Sequence, residues 1–386
     1  MKSLYKTPFK TPFTPALRQR DLSPQGGGLP TMKAALGLWA VALLSCGGCP
    51  RGAPGRDPDP RRGAATRSRR ASSDLTDASS KRRPEKNAGL ASMVNLYALA
   101  RPLRLEALWP KPAGDPPTTT PTWQKMSFRG SQGDRIPALW RAASSSRTKR
   151  HPAVILGHGH GGSKRGMAAG FGSVFPAQGV HLLSVDHPFQ GARRSLAKGD
   201  ICPPDHHLLV KRWLRAIKDL RRAVAVLRRR PDVDPSRIGY LGFSLGGVFG
   251  GLLAGTEPKL AAAVLVAPAG DWRKLAASRS SWKLGWNTAL LPRWLRCRPC
   301  RRRLSTVDPS RLIQRFSPRP LLVVVGQKDG VIHPAAGKTL YKKGRRGAHF
   351  ISHPGGHTPP LPVRKKAAKW LLEALQKKPL TPTPSP

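Results

Sequence analysis

The sequence predicts an α/β fold in which a mostly parallel sheet is flanked by helices, and three observations carry that expectation. Pro152-Ala153-Val154-Ile155-Leu156 and Leu321-Leu322-Val323-Val324-Val325 are short continuous apolar runs, as strands buried on both faces should be. Between them Leu209, Trp213, Ile217, Leu220, Val224 and Leu227 recur at spacings of three and four, an apolar stripe that predicts an amphipathic helix with Lys211, Arg215, Lys218 and Arg222 on another face. Pro231 stops that helix, Asp234-Pro235-Ser236 supplies a turn, and Ile238, Tyr240 and Leu241 begin a further strand.

That strand leads into Gly242-Phe243-Ser244-Leu245-Gly246-Gly247. A chain with 39 glycines will place Gly-x-Ser-x-Gly somewhere by chance, so context decides what it means. Here helix, turn, strand and a glycine-rich helix start follow in order, the setting of a nucleophile elbow. Small residues flank the serine there because the strand-to-helix turn is strained. Ser244 is the candidate nucleophile.

A serine hydroxyl needs a base to accept its proton and a third group to hold that base in one tautomer. In sheets of this kind the partners follow the serine in the order acid, then histidine. The Leu321–Val325 run ends in Gly326-Gln327-Lys328-Asp329-Gly330, which puts Asp329 just past a strand's C-terminal end, where open α/β sheets place their sites. A plain turn-forming Asp-Gly pair is the alternative reading. His349-Phe350-Ile351 predicts one more strand, followed by His353-Pro354-Gly355-Gly356-His357. His357 is the expected base rather than His353, because the two glycines let the loop swing its imidazole toward Ser244.

Acyl transfer also needs donors for the developing oxyanion. One is the backbone N–H of Leu245, next after the nucleophile. The second should come from the loop after an earlier strand, here Gly157-His158-Gly159-His160-Gly161-Gly162, and the N–H of His160 is the expected donor. This loop lacks the patterns of phosphate- and dinucleotide-binding loops. No third ligand is spaced to join His158 and His160 around a metal, so no metal is expected.

From about Trp123 to Leu375 the chain resembles α/β-hydrolases of the dienelactone hydrolase, acetyl xylan esterase and prolyl oligopeptidase-like group. The resemblance rests on His158-Gly159-His160-Gly161-Gly162-Ser163-Lys164, Val233-Asp234-Pro235-Ser236-Arg237-Ile238, Gly242 to Gly247 and Gly355-Gly356-His357. Asp186-His187-Pro188-Phe189-Gln190-Gly191 is similar to the group's Asp-x-x-Gly-x-Gly turn, with its first glycine missing. The resemblance implies an α/β-hydrolase fold and cofactor-free hydrolysis of esters, thioesters or peptide bonds through an acyl-enzyme.

Between Gly270 and Pro318 the chain leaves the sheet pattern, where such proteins often insert a helical lid, expected over about 271–317. Trp272, Trp282, Trp286 and Trp294 lie in it; packing the lid onto the domain is the plainer use of them, lining an acyl pocket the other. Cys297-Arg298-Pro299-Cys300 admits a redox pair, half a zinc site or a local disulfide. In an exported protein a disulfide bracing the lid is the expectation, with Cys202 left over.

Export is suggested by Met32-Lys33 and the apolar run Ala34 to Ser45, too short to span a bilayer but in proportion for a signal-peptide core. Leu43-Leu44-Ser45-Cys46 resembles a bacterial lipobox, which makes Cys46 the expected lipidation site and the cell envelope the expected location, lipid-anchored or secreted. Residues 1–31 then read as a gene-model extension before the true start, 32–46 as the signal and 47–90 as a basic disordered linker, rich in Arg, Pro, Ser and Asp. The hydrolase domain is expected at 91–376 and a disordered Pro-Thr tail at 377–386.

The net charge is +48, and residues 1–90 hold 17 Lys plus Arg against 6 Asp plus Glu, so +37 lies in the remainder. Such a charge makes binding of nucleic acid or another polyanion the natural rival function. No nucleic-acid motif accompanies it, and solvated arginines from biased composition account for it more simply. The expected function is a serine hydrolase of carboxylic esters or related acyl bonds, acting on a small or polysaccharide-linked acyl substrate. A peptidase or amidase of the same fold, and a non-catalytic basic binder on a hydrolase scaffold, are the alternatives. Attraction to anionic membrane surfaces or acidic polysaccharide follows from the charge in any case.

Overall fold

The apolar runs assemble into one sheet in the computed structural model, which describes residues 92–93, 95–98, 107–109, 122–144, 150–177, 179–196, 199–277 and 290–377. In chain order the elements are β1 (Ala107–Leu108), β2 (Gln124–Arg129), β3 (Arg135–Arg141), β4 (His151–Gly157), α1 (Lys164–Gly170), β5 (His181–Val185), α2 (His206–Arg228), β6 (Val233–Phe243), α3 (Leu245–Thr256) and β7 (Ala262–Val266). Then follow α4 (Trp272–Ala277), α5 (Leu291–Arg296), α6 (Arg298–Leu304), β8 (Leu321–Gly326), α7 (Pro334–Gly344), β9 (Ala348–His353) and α8 (Leu361–Gln376).

The strand order is β1-β2-β3-β5-β4-β6-β7-β8-β9. Pairing is antiparallel from β1 through β3 to β5, and parallel from β5 to β9. β4 lies between β5 and β6, the point at which the strand order reverses, and sites in open α/β sheets form in the crevice there.

Alternation along each strand divides the core. Ala153 and Ile155 of β4 pack on the side that carries α2 and α3, whereas Val154 and Leu156 pack beneath α1 and α8. Both faces are covered, which is why the strands read as unbroken apolar runs. Asp205 starts α2 by accepting the Leu208 N–H at 2.7 Å, a side-chain cap for an otherwise orphaned amide.

Two readings change with the structure. Asp234-Pro235-Ser236 does not precede β6 but bulges from its first half, because Val233 pairs with His151 while Ile238 pairs with Ala153. Asp234 closes the bulge by accepting the Ser236 N–H at 2.8 Å. The α2 polar face is also not uniformly solvated: Arg222 is buried and its Nε donates to the Arg129 carbonyl at 2.6 Å. In the expected lid, Trp272 is buried, donates to the Leu304 carbonyl at 3.0 Å and stands edge-on to Trp213 of α2 at 5.7 Å. It packs the insertion onto the domain. Trp282 and Trp286, Cys46 with the whole signal segment, the linker before 91 and residues 378–386 lie outside the described residues. No helix of the described residues is long and apolar enough to cross a membrane.

Candidate active site

Ser244 sits between β6 and α3 with φ 56° and ψ −117°. A serine pays for this left-handed conformation unless its surroundings impose it. They do so from both sides. The Ser244 N–H donates to the Val266 carbonyl of β7 at 2.8 Å, and its carbonyl accepts the Val248 N–H of α3 at 3.0 Å. Gly246 makes the close crossing possible, since a Cβ there would lie 2.2 Å from the Gly157 carbonyl oxygen. The Tyr240 hydroxyl ties the same turn by donating to the Gly246 carbonyl at 2.8 Å, entirely within the core.

The three residues expected to act together are in one hydrogen-bonded chain. His357 Nε2 is 2.9 Å from Ser244 Oγ, and His357 Nδ1 is 2.8 Å from Asp329 Oδ2. The other carboxylate oxygen of Asp329 accepts the N–H groups of Val331 and Ile332 at 2.8 and 2.9 Å. Asp329 is buried, and these two amides compensate its ionised form. With Asp329 accepting at Nδ1, the neutral imidazole carries its proton there and leaves Nε2 to accept from the serine.

The loop bearing His357 is fastened to the end of β8. Gln327 N–H donates to the His353 carbonyl at 2.8 Å and Lys328 N–H to the Gly355 carbonyl at 3.1 Å. His353 is buried at the end of β9, where its Nδ1 accepts the Gly355 N–H at 3.2 Å. It shapes the loop, and it is His357 that reaches Ser244. The Phe243 ring lies 5.0 Å from the His357 ring, limiting the imidazole's alternative positions.

The two amides expected at an oxyanion belong to the start of α3 and to the loop after β4. Leu245 is the first residue of α3, so its N–H belongs to the helix-end donors that no helix carbonyl can reach. The loop that carries His160 passes in front of the nucleophile: a Cβ on Gly159 would stand 3.2 Å from Ser244 Cβ. Burial lowers the pKa of His158, so its ring is neutral. It accepts the His187 N–H at Nε2, at 3.2 Å, and donates from Nδ1 to the Gly159 carbonyl at 2.8 Å.

Asp186, quoted from the sequence only for its turn pattern, anchors this loop. Its buried carboxylate accepts the backbone N–H of Lys164 at 2.7 Å and of Ala192 at 2.9 Å, and it pairs with the Lys164 ammonium. It joins the start of α1 to the turn after β5, which holds the expected oxyanion loop between them. Nothing in local spacing signals this role, because Asp186 and Lys164 stand 22 residues apart.

His158 and His160 do not converge on a common ligand position. His160 Nε2 instead meets Asp200 Oδ1 at 2.8 Å, and the same oxygen accepts the Cys202 N–H at 2.9 Å. The side chains of His160, Asp200 and Cys202 bring one ligand-type atom each within 4.8 Å of one another. Burial pushes the Cys202 thiol far up, against the thiolate that metal binding requires, and hydrogen bonding with His160 lowers the Asp200 pKa. The chemistry of the set fits an internal hydrogen-bonded tie better than a metal centre. Elsewhere, Cys297 and Cys300 are joined by a disulfide at the junction of α5 and α6, and Cys202 is buried and takes no part in it.

Comparison with known proteins agrees with this geometry at the level of fold. The model of the prolyl oligopeptidase family matches residues 214–350. The polyketide transferase ATR5 of Stachybotrys chlorohalonatus is 31% identical over 123 residues, covering 32% of this chain and 38% of that protein. An uncharacterized protein of Mycobacterium tuberculosis is 29% identical over 189 residues, 47% of this chain and 42% of its own length. The chain thus spans less than half the length of these curated relatives. Acetyl xylan esterase 1 from Thermoanaerobacterium sp. JW/SL YS485 superposes with a TM-score of 0.59 at 19% identity, over 75% of this chain and 93% of that one. A mostly parallel sheet with a serine on a strained strand-to-helix turn, superposing on that esterase, gives this chain the α/β-hydrolase fold, and its residues 214–350 match the prolyl oligopeptidase family.

Proposed function

We propose that the chain is a serine hydrolase that cleaves a carboxylic ester or related acyl bond through an acyl-enzyme on Ser244. The observation that carries this is the unbroken run Asp329–His357–Ser244, with hydrogen bonds of 2.8 and 2.9 Å. Ser244 Oγ attacks the acyl carbonyl as His357 Nε2 takes the hydroxyl proton. The tetrahedral oxyanion is received by the amides of Leu245 and His160. His357 then gives its proton to the departing alcohol, and the carbonyl re-forms as the acyl-serine. Water repeats the sequence: His357 takes its proton, the acid leaves, and Ser244 Oγ recovers a hydrogen. Asp329 remains ionised and stabilises the imidazolium that forms twice per turnover.

Reaction with a fluorophosphonate probe tests this reading directly. Labelling of the wild type that disappears in Ser244→Ala is expected; a folded wild type that takes no label favours a basic binding protein on a retired scaffold. The match to the prolyl oligopeptidase family supports a second reading, a peptidase or amidase using the same residues. Parallel assay of short p-nitrophenyl esters and aminoacyl p-nitroanilides separates the two, with the esters expected to turn over faster. The same proposal places the protein at a bacterial cell envelope through lipidated Cys46, and metabolic labelling with an alkyne fatty acid, lost in Cys46→Ala, is the check.

A further inference from the structure

A cavity of about 710 Å³ lies between α2, α6 and the β2–β3 turn and shares no lining residue with the Ser244 site. Its walls explain part of the unusual charge of the chain. Lys211 and Lys218 line it from α2, and Arg302 and Arg303 face them from α6. No aspartate or glutamate lines it among the described residues. Of the cations in its wall Arg215 is paired with Asp134 at 2.9 Å, while Asp134 and Asp219 also hold Arg193, which lies outside the lining, at 2.8 Å each. Lys211 and Lys218 are two helical turns apart on one face, which spaces their charges by about 10 Å along the groove.

We infer that this groove is a binding site for a strand of acidic polysaccharide. Rows of cations on two facing helices, without carboxylates, select a ligand carrying repeated anionic groups. The concave shape selects one flexible chain over a bilayer, whose flat surface reaches only the rim. Among the described residues His207 is the one aromatic ring in the lining, where single-stranded nucleic acids rest successive bases on several. Sugars suit the remainder of the wall. Val210 and Leu214 offer an apolar strip to the C–H faces of pyranose rings, while Ser131, Gln132 and Thr306 offer hydroxyl and amide groups to ring hydroxyls. This binding does not depend on Ser244 chemistry, so it stands or falls separately from the hydrolase reading.

Fluorescence anisotropy of a fluorescein-labelled oligogalacturonide on the full chain tests the site. The paired reversal Lys211→Glu/Arg302→Glu is compared with Lys365→Glu/Lys366→Glu, which changes net charge equally on exposed residues of α8. The groove pair is expected to raise Kd about tenfold or more and the α8 pair by less than about twofold, with the milder Lys211→Gln/Arg302→Gln in between and thermal melting confirming that each variant is folded. Equal weakening by both reversed pairs overturns the site in favour of diffuse charge. So does tighter binding of an oligodeoxynucleotide or of anionic phosphatidylglycerol vesicles through the same residues, or no binding of the oligogalacturonide at low salt.

Discussion

Replacing Asp329 with asparagine changes the proposed reaction through a single proton. Asp329 Oδ1 accepts two backbone amides at 2.8 and 2.9 Å, while Oδ2 accepts His357 Nδ1–H at 2.8 Å. In Asp329→Asn the carboxamide oxygen keeps the two amides, which have no other acceptor placed for them, so the NH₂ group is turned toward His357 Nδ1. Two donors cannot face each other, and the ring proton moves to Nε2. The imidazole then donates to Ser244 Oγ, 2.9 Å away, where it has to accept. The expected loss in kcat/KM is about 10⁴-fold, the effect of a wrong tautomer with intact geometry, equivalent to about 5 kcal/mol of transition-state stabilisation. Stability should fall by only about 1–2 kcal/mol, a charge-assisted hydrogen bond exchanged for a neutral one. Hydrolysis of p-nitrophenyl acetate, fluorophosphonate labelling rate and thermal melting separate the two quantities. A variant whose kcat/KM stays within about tenfold of wild type would refute the assignment of the tautomer to Asp329.

Further expectations concern the turn, the loop and the core. Gly246→Ala forces a methyl to within 2.2 Å of the Gly157 carbonyl oxygen, so it should cost about 3 kcal/mol by chemical denaturation and abolish probe labelling; near-wild-type labelling would show that the crossing relaxes. Asp200→Ala removes the carboxylate 2.8 Å from the His160 ring, and kcat should drop about tenfold with little change in KM or melting temperature. His181 is held neutral by burial, which pushes its pKa down to about 4, while Nδ1 accepts the Ala143 N–H at 3.0 Å. The unfolded chain binds this proton below about pH 6.5 and the folded chain only below about 4. Stability is therefore complete above the unfolded value, declines as pH falls through this window and levels off below it. His181 contributes about 3 kcal/mol to the decline, and denaturation of His181→Gln across the window should show a shallower slope than wild type, with His158 and His187 supplying slopes of the same sign.

Features that depend on near neighbours in the chain were readable in the sequence. The elbow announces itself through glycines at fixed offsets from Ser244. The amphipathic stripe from Leu209 to Leu227 announces α2, and the unbroken run from Leu321 announces a strand covered on both sides. Asp329 and His357 were readable because each follows a strand end, although 28 residues separate them. What was not readable arises from distant packing. β2 and β3 lie next to the short edge strand β1, and β2, whose residues alternate between buried and partly exposed, lacks the long apolar run of the inner strands. The tie from His160 to Asp200 spans 40 residues, and no local pattern distinguishes Asp200 from any other loop aspartate. The face of Lys211, Arg215, Lys218 and Arg222 reads as a solvated stripe in one dimension. Only the return of α6 over α2 makes part of it the wall of a groove, and only the end of β2 makes Arg222 a buried donor.

The charge of the chain and the chemistry proposed for Ser244 are kept physically apart, and this bears on how the reaction would be stabilised. Around the nucleophile the ionic group in direct contact with the triad histidine is Asp329, compensated by two amides. His158 and His187, which shape the expected oxyanion loop, are made neutral by burial. Lys164, near the same loop, is paired with buried Asp186. A developing oxyanion would therefore meet fixed backbone dipoles rather than mobile cations, the arrangement that loses least to reorganisation in a water-poor site. A lysine or arginine pointing at that oxygen would also repel the imidazolium that His357 becomes when it takes the serine proton. In a protein of net charge +48 the cations that line the α2–α6 groove share no lining position with the Ser244 site. There they can act on a ligand's approach and orientation without entering the acid–base balance at Ser244.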